Sequence, residues 1–168
     1  MLKKILLVLG LLFLGIQFVR PAKNLSPTPN SNDLTARHPT PPEVKKLLSV
    51  ACYDCHSNNT RYPWYAEIQP LGWWLASHVR DGKAELNFSE FGTYDRKKAA
   101  RRLEMSIDEI DGKKMPLPSY LITHGDARLS DAQIKLLSDW FDETRELILE
   151  ESDAPVPPAA PSGPPAPP

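Results

Sequence analysis

Residues 52–56 read Cys52-Tyr53-Asp54-Cys55-His56, and the organisation of the chain follows from what this run holds. Cys-x-x-Cys-His is the pattern that attaches a c-type haem. Two thiols add across the two vinyl groups of one haem, so they must sit about one helical turn apart. Cys52 and Cys55, at i and i+3, share one face of a helix. The adjacent imidazole of His56 then reaches the iron as proximal ligand, while its other ring nitrogen donates to a neighbouring acceptor.

Three plainer readings compete. A thioredoxin-like redox pair expects a strand–helix setting and no following His. A zinc site needs two more ligands from His38, His56, His78 and His124, because the chain has only two cysteines. A local disulfide is the third. The cysteine spacing and the directly following His favour haem.

Upstream, Thr40-Pro41-Pro42-Glu43 has the form of a helix start, with a Thr cap, Pro in the first turn and Glu at the third position. Val44, Leu47, Leu48 and Ala51 continue it at helical spacing, straight into Cys52. At the chain start, Lys3 and Lys4 precede an apolar run from Ile5 to Val19. A basic stretch before a short apolar core is an export signal. Its fifteen residues span about 22 Å at 1.5 Å each, short of the roughly 30 Å hydrocarbon core, although snorkelling lysines narrow the gap. Residues 1–20 are thus expected to be an uncleaved anchor in the inner membrane, with a cleaved signal peptide as the alternative. Both versions export the rest to the periplasm, a compartment where c-type haem is attached.

The chain carries a net charge of -1; removing Met1–Arg20 takes away Lys3, Lys4 and Arg20 and leaves -4. Such a domain is no nucleic-acid surface. Residues 21–39, rich in Asn, Ser, Thr and Pro, are expected to be a linker. Residues 152–168 read as a disordered tail; eight of the chain's eighteen prolines fall between Asp153 and Pro168. One domain remains, residues 40–151, large enough for a small fold built around an apolar cofactor.

Downstream of the motif, Ser57-Asn58-Asn59-Thr60-Arg61 reads as a polar loop, with Arg61 a candidate contact for a haem propionate. Pro70–Val79 reads as a helix apolar on most sides; Trp73 and Trp74 cannot both point one way, so two covered faces are expected. Phe88 and Phe91 are expected to anchor a turn. Asp95 or Thr93 then caps a helix with Ala99, Leu103, Ile107 and Ile110 on its apolar side and Arg96, Lys97, Lys98, Arg101 and Arg102 on the other. Those cations form a solvated face or a docking patch for an acidic redox partner. Gly112-Lys113-Lys114-Met115-Pro116 breaks this helix and presents Met115 on a Pro-restrained loop, the setting of a distal sulfur ligand. His124 and His78 are the rival distal ligands. Ser130-Asp131-Ala132-Gln133 is a capping box opening a long amphipathic helix, expected to pack on the helix that carries the motif.

The order helix, Cys-x-x-Cys-His, aromatic middle, Met-Pro loop, closing helix resembles the mono-haem class I cytochromes c. The stretch from Cys52 to Tyr65, with Gly112–Pro116 and Asp126-Ala127-Arg128-Leu129-Ser130, more specifically resembles the bacterial haem-binding domain family of small exported or membrane-anchored proteins. The likeness covers about His38 to Leu149. It implies an all-α, cytochrome c-like domain around one covalent haem c, with Cys52 and Cys55 attached to the haem, His56 the proximal iron ligand and Met115 the distal one. The expected activity is single-electron transfer with redox partner proteins in the periplasm or membrane, in which no side chain makes or breaks bonds. The alternative is a peroxidase or a gas or redox sensor whose sixth iron position opens.

Overall fold

A computed structural model describes residues 1–26 and 31–150. The expected disordered tail at 152–168 lies outside them. Among the described residues the architecture is all-α, with no strand. Seven α-helices follow in order: α1 (Leu2–Ile16), α2 (Leu34–Arg37), α3 (Pro42–Ala51), α4 (Tyr53–His56), α5 (Leu71–Glu85), α6 (Arg96–Asp111) and α7 (Asp131–Glu150). Short 3-10 turns fill the gaps between them.

The local signals mostly hold. Asp95 caps α6, its carboxylate accepting from the Lys98 amide at 2.9 Å. The Ser130–Gln133 box closes in both directions, Gln133 N to Ser130 Oγ at 3.3 Å and Ser130 N to Gln133 Oε1 at 2.9 Å. At α3 the expected Thr40 cap is absent. Pro41 takes the cap position, and the Thr40 hydroxyl instead donates to His38 O at 2.8 Å. A proline in the first helical turn has no amide to satisfy there, so the start needs less capping.

The core lies where α3, α6 and α7 meet the turn around Phe88. Leu47, Leu48, Leu103, Leu137, Phe141 and Phe88 are buried in it. Helix α7 packs mainly along α6 and also against α3, with Trp140 Nε1 donating to Pro39 O just ahead of α3 at 3.1 Å. Described residues of the stretch 21–39, read as a linker, contribute to this body. Leu34 of α2 is fully buried, and Asn24 donates to Ser57 O at 2.8 Å.

Two further expectations are corrected. Helix α5 is covered on one face only. Gly72, Leu75 and Val79 are buried, while Trp73 and Trp74 stay exposed. Helix α1 forms where an anchor was expected, but no described helix is long and apolar enough to cross a membrane. None of its residues is buried. Its end is tied to the domain by a two-way amide pair between Gln17 and the Gln69 backbone, at 2.9 and 3.1 Å.

Candidate functional site

Helix α3 stops at Ala51 because Cys52 leaves helical geometry, with φ -126° and ψ -44°. The chain immediately turns into α4, with the amides of Cys55 and His56 both bonding back to Cys52 O at 3.2 and 2.9 Å. The motif therefore forms its own single turn, set off from α3 by a break. The two thiols lie about one turn apart, and both are free. Burial pushes the Cys52 thiol up to about 12 and the Cys55 thiol up to about 11. It also lowers the basicity of His56, which favours the neutral imidazole that a metal requires.

Helix α5 clamps this turn. A Cβ on Gly82 would sit 2.9 Å from Cys55 O and 3.2 Å from Cys55 Cβ, so only glycine lets α5 approach this closely. Just past the end of α5, Leu86 O lies 3.0 Å from His56 Nδ1. A carbonyl can only accept, so Nδ1 carries the proton and Nε2 is left with a free lone pair. Phe88 backs the arrangement, stacked on Tyr53 at 5.4 Å and on Phe141 at 6.2 Å, and edge-on to His56 at 6.2 Å.

Asp54, between the two cysteines, is 5 % exposed. Its carboxylate accepts from Arg61 N, Nε and Nη2 at 3.0–3.1 Å and from the Tyr120 hydroxyl at 2.7 Å. A buried carboxylate needs such partners. Burial, reinforced by this bond to Asp54, raises the Tyr120 phenol well above its ordinary range. Tyr120 belongs to the loop after α6, so the Asp54 pair ties that loop to the motif.

Met115 stands on the same loop. The amides of Lys114 and Met115 both bond to Glu109 O, at 2.9 and 3.1 Å, and Lys113 takes a left-handed conformation with φ 54°. The last turn of α6 thus folds back and holds the methionine backbone in place.

Cys52, Cys55, His56 and Met115 line one cavity of about 460 Å³, between α4, α5, α6 and the loop. Cofactor sites span roughly 300–1,000 Å³. Leu86, Phe88, Ile110, Leu117 and Phe141 give much of its wall an apolar surface. Two thiols, an imidazole with an open lone pair and a thioether around an apolar cavity are groups of the kind that hold a haem, so the residues present fit that group. No group of three or more His, Cys, Asp or Glu side chains forms a metal site among the described residues, which leaves the zinc reading without a ligand set.

The remaining predicted residues are placed differently. Arg61 does not line this cavity; it lines a separate polar one and pairs with Asp54. His78 does line the cavity, with Nδ1 on Trp74 O at 2.8 Å. His124 is outside it, stacked on Tyr120 at 4.0 Å. Sequence reasoning missed Met105 and Arg102, which also line the cavity. Both sit on α6, three residues apart, and that spacing was the available signal. It also missed the Leu86 carbonyl, which no side chain announces.

A family model described as a haem-binding domain matches residues 11–143. That span begins well ahead of His38, consistent with the part that Asn24 and Leu34 play in the body. Neither a curated protein nor a solved structure matches the chain.

Proposed function

The chain belongs to the haem-binding domain family, and on that premise we propose that it carries one covalent c-type haem and passes single electrons between partner proteins in the periplasm. The observation that carries this reading is the convergence of Cys52, Cys55, His56 and Met115 on one cavity. When bound, the haem supplies the one-electron chemistry.

The chain's own residues do the rest. Cys52 and Cys55 are in position to form the two thioether links. His56 offers Nε2, oriented by its Nδ1 bond to Leu86 O. Met115 is the proposed second iron ligand; its thioether would raise the potential and would favour electron transfer over binding of small ligands. The apolar wall keeps water from the ring. Asp54 and Tyr120 hold the proximal turn and the distal loop in register.

In this reading α1, with Lys3 and Lys4 in its first turn, an apolar run after them and no buried residue, directs export. The test is expression of the full chain in a host that attaches c-type haem, followed by cell fractionation and intact mass under denaturing conditions. The expected product is an exported protein heavier by one haem, and Cys52→Ser with Cys55→Ser removes the added mass. An unmodified mass in the unsubstituted chain overturns the reading.

A further inference from the structure

The cavity wall holds several acids but, among the described residues, a single side chain with a permanent positive charge, Arg102 of α6. The other charged or titratable groups facing it, besides the cysteines, His56 and Tyr120, are Asp54 from the motif, His78, Asp81 and Glu85 from α5, and Glu109 from α6. A haem brings two carboxylates, and of the side chains lining the cavity Arg102 is the one with a full positive charge to receive them; the other lining acids are paired elsewhere, Asp54 with Arg61, Asp81 with Arg80 and Glu109 with Lys114. The Arg102 side chain is 22 % exposed and bonds Glu85 Oε2 through Nη1 at 2.9 Å; Glu85 itself is 72 % exposed. An ion pair to so exposed a carboxylate is weak and readily exchanged. The Arg102 guanidinium also bonds Met105 Sδ, again through Nη1, at 3.8 Å. Nε and Nη2, two further edges of a fork suited to bidentate carboxylate recognition, make no bond among the described residues.

We propose that Arg102 is the propionate-binding residue of this domain, holding one haem carboxylate with Glu85 as its resting partner. The inference rests on the covalent-haem reading above. It moves the role from Arg61, which is committed to Asp54, to a residue that the sequence placed on a solvated basic face.

The experiment uses the haem-loaded full chain and measures midpoint potential against pH together with the propionate deformation bands in resonance Raman spectra. Oxidised haem carries one more positive charge than reduced haem. Replacing Arg102 with Gln removes a nearby cation, favours the oxidised form and lowers the potential. It also destabilises the ionised propionate, so the pH-dependent step in potential moves to higher pH and the Raman bands shift. Arg102→Lys restores part of both. Arg101→Gln, the same charge change one residue away on an exposed position of α6, leaves the pH step and the bands unmoved.

A second variant covers the case in which Arg102→Gln fails to load haem. Glu85→Gln frees the arginine for the propionate and moves the pH step to lower pH. Arg102→Gln matching Arg101→Gln in both readouts, or Glu85→Gln leaving the step in place, overturns the assignment while covalent haem with an unchanged ligand spectrum leaves the parent reading standing. Absence of covalent haem in the unsubstituted chain overturns both.

Discussion

His56 donates its Nδ1 proton to the carbonyl oxygen of Leu86 over 3.0 Å. This bond joins the motif to the end of α5, and it fixes which ring nitrogen is offered to a metal. The donor is held from behind by Phe88 and the acceptor by α5, which Gly82 seats against Cys55. The orientation of the imidazole is therefore set by contacts within the fold.

Gly82→Ala should disturb this seat. The new methyl would meet Cys55 O and Cβ at 2.9 and 3.2 Å, and overpacking of this kind costs about 1–3 kcal/mol. Lifting α5 also draws Leu86 O away from His56. A lowered midpoint of thermal unfolding, with a weakened proximal ligand in the haem-loaded form, is the expected result. Unchanged stability would show that α5 shifts freely.

Tyr120→Phe removes the hydroxyl that donates to Asp54 at 2.7 Å. Loss of a hydrogen bond to a charged group costs about 1.5–3 kcal/mol. Asp54→Ala is the more severe change, since it leaves the Arg61 backbone amide without its acceptor and the Tyr120 hydroxyl with only Val50 O at 3.1 Å. Urea unfolding gives the magnitudes. If the pair ties the Met115 loop to the motif, Tyr120→Phe also speeds carbon monoxide binding to the ferrous haem protein by loosening that loop.

The haem-free protein should have unreactive thiols at neutral pH. Burial holds Cys52 at about 12 and Cys55 at about 11, against about 8.5 for a free thiol. Since the thiolate is the nucleophile, alkylation of the folded apoprotein should stay slow through pH 8–9 and accelerate only at higher pH. The sign carries to stability. In the unfolded chain these thiols ionise near their ordinary value, so the stability that depends on their protonation is present below that value and falls as pH rises from there towards 11–12. Rapid labelling at pH 8 under native conditions would contradict this.

Met115→Ala should keep the covalent haem and lose the sulfur ligand, giving a high-spin or ligand-exchanged spectrum and fast carbon monoxide binding. His78 and Met105, which line the same cavity, are the side chains that could replace it. A variant with the spectrum of the unsubstituted protein would remove Met115 from the iron.

Much of this was legible in the sequence because it depends on short-range chemistry. The Asp95 cap and the Ser130–Gln133 box read directly, and Phe88 and Phe91 fell where packing anchors were expected. What escaped depends on long-range placement. Arg61 looked like a ligand for a cofactor, but seven residues back Asp54 is buried and takes it as counter-ion. Arg102 looked solvated because its four neighbouring cations are, yet the turn of α6 points it into the cavity. Leu34 sat in a polar, Pro-rich stretch, and only the assembled core shows that it is buried. The one-sided cover of α5 escaped because an apolar sequence does not say how many neighbours a helix will have.

The central claim is a covalent haem held between His56 and Met115. Its most direct test is the visible spectrum, oxidised and then reduced, of the full chain matured in a host that attaches c-type haem. The account predicts sharp reduced bands together with the weak red-edge sulfur-to-iron band of the oxidised form. No haem absorption from protein that has folded would contradict it, returning Cys52 and Cys55 to the role of an ordinary pair of half-buried thiols.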